Sequence, residues 1–194
     1  MTEVTQVAFV TVDTHVMDTR TQRARRTAGF SLIELMIITV ILGVLATIAI
    51  PVFHVYQLRT KSAEAGTNIG AISIAELSYF SEFGQFLTIA PEPPTIPGPR
   101  KVTFDGAGSG FAEIGFNPQG SVYFSYGVTA SADGSGFAID AGSDIDGDGI
   151  VQFWGYVKPD GAGGIPAGQV GCNTAALAAE TIGPCSVSAG RSVF

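Results

Sequence analysis

The chain has 194 residues, with 10 Lys or Arg against 17 Asp or Glu and a net charge of −7. That acidity excludes nucleic-acid wrapping driven by charge, because phosphate binding needs a basic footprint. With two histidines and two cysteines, the chain has no His cluster for a metal and no His in its C-terminal half for a Ser-His-Asp arrangement.

In chain order, the first segment is basic and polar, with Arg20, Arg23, Arg25 and Arg26, and it ends in Thr27-Ala28-Gly29. Phe30 then opens a run with no Lys or Arg until Arg59 and with Glu34 as its one acid. At 29 residues, Phe30 to Leu58 is long enough to cross a bilayer as a helix. A lone carboxylate left unpaired at depth costs roughly 2.5–3.5 kcal/mol, so Glu34 calls for a partner. The arginines place this end in the cytoplasm and the rest of the chain across the membrane.

The residues GFSLIELMIITVILGVLATIAIP resemble the prepilin signature shared by type IV pilins and type II secretion pseudopilins. The likeness is close from about Arg25 to Glu64 and weak beyond. It implies that a membrane peptidase cuts after Gly29 and methylates the new N-terminus at Phe30. An ordinary secretory signal carries its small residues after the apolar run, whereas here they precede it, so the cut leaves the helix on the protein. Signal-peptidase cleavage beyond Pro51 is the competing reading, and it lacks an A-x-A-like site. Met17 would give the leader a more compact basic start than Met1. Removing 29 residues with four arginines and three acids (Glu3, Asp13, Asp18) leaves 165 residues of net charge −8.

Leu35 to Ile50 is apolar on all sides apart from two threonines, as a lipid-embedded or bundle-core helix must be. Pro51 predicts a kink or local melting, and the resemblance implies a segment that can unwind in a filament. Beyond Arg59 the pattern becomes amphipathic. Ala65, Ile69, Ile72, Tyr79 or Phe80, and Phe83 recur every three to four residues, with Lys61, Glu64, Glu76 and Glu82 mostly elsewhere. One helix from Phe30 to Phe83 is predicted, about 80 Å long at ~1.5 Å per residue. Residues 30–58 form its transmembrane or filament-core half and residues 59–90 its amphipathic half.

Residues 91–194 read as a globular β head of one modest domain. Ala90 to Pro99 reads as an extended surface connection. Phe111–Phe116, Val122–Ala130, Gly136–Ala141 and Ile150–Val157 read as short strands of a three- to four-stranded antiparallel sheet laid on the helix, with Trp154 in the interface. The fold class is therefore α+β, and the resemblance implies the type IV pilin fold. Cys172 and Cys185, 13 residues apart, lie on the non-cytoplasmic side, where disulfides persist. Pairing them is worth about 3 kcal/mol under the chain-entropy model. The resemblance implies that they close a C-terminal surface loop, and the alternative, two free thiols binding a metal, lacks any nearby His or further Cys.

Ser143-Asp144-Ile145-Asp146-Gly147-Asp148-Gly149 sets three carboxylates at alternate positions, as an oxygen-ligating calcium loop does, with Asp140 as a further candidate ligand. Gly155 stands where an EF-hand needs its closing Glu, so this is not an EF-hand. Structural Ca²⁺ is thus a candidate and no other cofactor is required. The alternative is a hairpin turn built on Asp-Gly pairs.

No catalytic set is visible, so a non-enzyme is expected, with a membrane-anchored hydrolase as the competing class. His15 falls in the leader and His54 at the membrane edge. The resemblance implies a structural subunit that polymerises with itself into a surface pilus, Glu34 of one copy neutralised by the Phe30 amine of the next. The implied partners are the prepilin peptidase and methyltransferase, an assembly platform with its ATPase, and the inner membrane, which the subunit spans once with its head in the periplasm. The alternative is a type II secretion pseudopilin serving protein export.

Overall fold

The computed structural model describes residues 29–185. The readings placed on the leader, including Met17, His15 and the arginine cluster, fall outside them. The described residues divide into two units, one up to Gly43 and one from Val44 onward.

Helix α1 covers Leu32–Phe83. Its start is set by Ser31, whose Oγ accepts the Glu34 N–H at 3.2 Å. Ser31-Leu32-Ile33-Glu34 has the S-x-x-E spacing of a capping box. Its end is set by Gly84, whose φ of 74° lets the chain turn left-handed while its N–H bonds the Phe80 carbonyl at 2.8 Å. Pro51 lies within the helix, which continues on both sides of it.

From Ser62 onward α1 buries one stripe: Ser62, Ala65, Ile69, Ile72, Ser73 and Glu76. Tyr79 and Phe80 pack half-buried at its edge. Two sequence expectations change here. Phe83 is 57% exposed, because it is the last residue of the helix and touches only the edge of the core through the tilted Tyr79 ring, with centroids 4.4 Å apart. Glu76, expected away from the core, is wholly buried in it.

The stripe meets an antiparallel sheet of five strands in the order β1-β4-β5-β6-β7: β1 Ile89–Glu92, β4 Ser125–Ala130, β5 Phe137–Ser143, β6 Gln152–Lys158 and β7 Gly183–Pro184. The expected strands supply the middle of it. Both additions are short edges, β1 from the proline segment read as a connection and β7 from within the cysteine loop. Phe111–Phe116 is not a strand. It forms a 3-10 turn, Gly110–Ala112, whose Phe111 packs with Phe104 and Phe116 at centroid distances of 5.3 and 5.6 Å beside a small hairpin, β2 Val102–Thr103 with β3 Ser121–Val122.

Side chains alternate across the sheet. Phe124, Tyr126, Val128, Phe137, Ile139 and Ala141 join the helix stripe in one core, with Trp154 and Tyr156 half-buried against it. Polar pairs fix the register: Ser62 Oγ donates to Gln152 Oε1 at 2.8 Å, and Asn68 Nδ2 to the Tyr126 hydroxyl at 2.8 Å. Burial, and then the nearby Glu64 carboxylate, push the Tyr126 hydroxyl well above its ordinary pKa.

The other face of the sheet is covered by the segment leading to Cys172. Gly127, Asp140 and Gly155 pair across β4, β5 and β6 in one row. The glycines keep this row flat. A Cβ at Gly155 would lie 2.8 Å from Leu177 and 3.0 Å from Cys172 Sγ, and one at Gly127 3.3 Å from Val170. β5 is buried at every position because it is covered on both faces.

Candidate functional site

The N-terminal segment of α1 packs against no other described residues. Every residue from Gly29 to His54 is exposed, including Phe30 at 74% and Leu32 at 77%. Its most apolar 18-residue window has a mean hydropathy of 2.7 and no burial, long and apolar enough to cross a membrane. An apolar surface of this extent does not stay in water. Glu34 stands in the first turn of α1 and makes no ion pair among the described residues. Phe30, two residues before the helix, is within one turn of it. A free amine on Phe30 would place a positive charge beside that surface and near the acid.

The acidic loop brings three of its four candidate ligands together. Asp144, Asp146 and Asp148 each offer a carboxylate oxygen within 4.8 Å of the others. Part of their capacity holds the loop itself. Asp144 accepts the N–H of Gly147 at 2.9 Å and of Gly149 at 3.2 Å, and Asp148 accepts that of Ile150 at 2.7 Å. Asp146 Oδ1 is buried with no hydrogen-bond partner, an unusual state for a carboxylate oxygen.

Asp140 is not part of this group, which corrects its assignment as a ligand. It is wholly buried, and its two oxygens accept four backbone N–H groups: Gln169 at 3.0 Å, Val170 at 2.7 Å, Gly171 at 3.0 Å and Cys172 at 3.3 Å. A carboxylate so supplied with donors is a structural tie, and its side chain points to the face opposite the helix. It anchors the segment entering the disulfide. Cys172 and Cys185 are bonded, with Cα atoms 5.5 Å apart, and both are buried. The disulfide closes a loop from which β7 pairs with β6, so this loop is continuous with the sheet.

Glu76 is the titratable residue that sequence reasoning misplaced. Its Oε2 accepts the Leu87 N–H at 3.0 Å, while Oε1 is buried without a partner. Burial pushes its carboxyl up to about 7, against a smaller opposing pull from the Leu87 hydrogen bond. A signal was present: position 76 falls four after Ile72 and four before Phe80, inside the buried stripe. His54 is exposed on α1 and joins no described cluster of acids or metal ligands.

Residues 24–50 match the family described as "Prokaryotic N-terminal methylation motif". The type IV major pilin protein PilA of Myxococcus xanthus (strain DK1622) is 40% identical over 108 residues, 55% of this chain and 39% of that protein. These matches support a place in the type IV pilin family. A fimbrial protein of Pseudomonas aeruginosa is 34% identical over 97 residues, 48% of this chain and 63% of its own length. The fimbrial protein EcpC of Eikenella corrodens is 43% identical over 56 residues, 29% of this chain and 37% of its own length. The chain thus spans less than two thirds of each of these relatives. Their names are those of structural pilus proteins, not enzymes, and the long helix on an antiparallel sheet with a C-terminal disulfide is the fold expected of a type IV pilin. No solved structure matches the chain.

Proposed function

We propose that this chain is a type IV pilin subunit, inserted in the inner membrane with its head on the periplasmic side and polymerised into a surface filament. The observation that carries the reading is the apolar half of α1, exposed on every side and headed by the methylation motif. In this mechanism a prepilin peptidase cuts after Gly29 and the Phe30 amine is methylated. In a bundle of such helices the Glu34 carboxylate of one copy is neutralised by the Phe30 amine of its neighbour. Desolvation offsets much of that attraction, so the pair contributes register more than stability. Pro51 marks where the helix most readily yields as copies pack. The assembly platform and its ATPase supply the work of extrusion.

Two experiments test this. Filaments sheared from cells should contain a chain beginning at methylated Phe30 as their main component, by mass spectrometry. Glu34→Ala should be processed and membrane-inserted yet yield no filaments, and normal filaments from that variant remove the role. The acidic loop favours a second reading, a type II secretion pseudopilin. In that case the processed protein stays in the envelope and its deletion blocks export of folded enzymes.

Ca²⁺ in the Asp144–Asp148 loop is part of the proposal. Three converging carboxylates and the unpartnered Asp146 Oδ1 support it. Asp144, Asp146 and Asp148 would hold the ion, and the ion would neutralise their mutual repulsion. Calorimetric titration of the detergent-solubilised chain should show heat that Asp146→Asn abolishes; a titration without heat ends this part of the reading.

A further inference from the structure

The end of the apolar run carries a feature that polymerisation does not explain. Phe53, Tyr56, Gln57, Thr60, Lys61 and Tyr123 line an open cavity of about 390 Å³. Phe53 and Tyr56 are 60% and 62% exposed, two rings left in solvent just before Arg59, the first cation after Phe30. Lys61 Nζ lies 5.2 Å from the centre of the Tyr123 ring and donates to the Pro99 carbonyl at 3.2 Å. Lys101 Nζ lies 5.0 Å from the same ring.

The charges gather here unevenly. Of the Lys and Arg among the described residues, Arg59, Lys61, Arg100 and Lys101 all belong to this region, and Lys158 alone stands elsewhere. The acids that approach it are Glu64 and the Asp144–Asp148 loop. Glu64 pairs with Lys101 at 3.6 Å and accepts the Tyr123 N–H at 2.6 Å. The loop rests on Pro97, which accepts the Asp144 N–H at 2.9 Å. Lys61 faces the cavity and makes no ion pair among the described residues.

Amphipathic rings settle at the level of lipid headgroups, and cations flanking an apolar helix reach the phosphates there. We infer that this cavity is an interfacial seat for the phosphate of an anionic phospholipid, gripped by Lys61 and walled by Phe53, Tyr56 and Tyr123. It holds the head of the unassembled subunit against the membrane surface. The inference rests on reading residues 30–58 as a membrane span. The net acidity of the chain disfavours a nucleic-acid strand as the occupant.

The test uses the full chain in mild detergent, supplied with equal amounts of phosphatidylglycerol and phosphatidylcholine, with retained lipid counted by native mass spectrometry. Phosphatidylglycerol should be favoured about fivefold for one engaged cation. The preference should vanish in Lys61→Gln, survive in Lys61→Arg, and weaken at about 1 M salt, where charges are screened beyond about 3 Å. Equal retention of the two lipids overturns the inference, as does a preference unchanged in Lys61→Gln. Stronger retention of a single-stranded oligonucleotide in the same assay also overturns it. Flotation of the chain with phosphatidylcholine vesicles reads the membrane span separately, so failure of that reading is distinguishable from failure of this one.

Discussion

Two stretches of the same helix show what a chain can and cannot specify alone. From Ser62 to Glu76, α1 buries one face against a sheet made by its own chain, where Ser62 bonds Gln152 and one Glu76 oxygen accepts the Leu87 N–H. From Leu32 to Val52 it is just as helical, yet every side chain is exposed and the surface is almost wholly apolar. The backbone bonds of a helix are internal, so both stretches close their own hydrogen bonds. Only the first also finds partners for its side chains within the chain. Burial, not helicity, separates the part of the helix inside the folded head from its exposed half.

The head depends most on its buried ties. Asp140→Ala removes the acceptor of four backbone N–H groups on a buried face. Each bond to a charged group is worth about 1.5–3 kcal/mol, and bonds sharing one acceptor group add less than fully, so the urea-unfolding free energy should drop by about 4 kcal/mol or more. Asp140→Asn keeps the shape and should lose less.

Ile72→Ala, in the buried stripe, should cost about 2–5 kcal/mol by the same measurement. A drop in Ile72→Ala no larger than in an exposed-half variant would show that the stripe is not a core.

Glu76 makes the buried stretch sensitive to pH. Its carboxyl titrates near 7 in the folded chain, raised by burial from an ordinary value of 4.5. Between those values the folded state holds a proton that the unfolded state has released, so stability falls as pH rises through that window. The loss levels off above about pH 7, at on the order of 3 kcal/mol. Glu76→Gln should give a flat profile across this range, and an unchanged wild-type slope in that variant would assign the titration elsewhere.

The smallest effect belongs to the exposed half. Ile41→Ala, at a residue 53% exposed, should shift unfolding of the head by less than about 0.5 kcal/mol. Any penalty from it should appear in membrane insertion or filament yield, read by flotation and by sheared protein.

The long helix, its amphipathic turnover after Arg59 and the central strands were legible because periodicity and length carry them. The edges were not. β1 and β7 are short and contain proline, and they form because neighbouring strands offer unpaired backbone groups. Phe111–Phe116 has strand-like residues, but a positive φ of 71° at Gly115 and the ring cluster of Phe104, Phe111 and Phe116 close it into a turn. Asp140 misled for another reason. Its place near three other aspartates in sequence suggested a shared ion, whereas strand alternation sends its side chain to the sheet face covered by residues 169–172.

By itself the sequence determined what depends on chain-local chemistry: an apolar helix with one acid near its start, the motif before it, the amphipathic stripe and the clustering of the acidic loop. Only the tertiary structure decided which groups lose water and what replaces it. Burial of Glu76 without a second partner, the amide-bound Asp140 and the junction of β7 with β6 all arise from segments distant along the chain meeting at one place. No local pattern encodes such a meeting, because it depends on how the whole sheet closes over the helix.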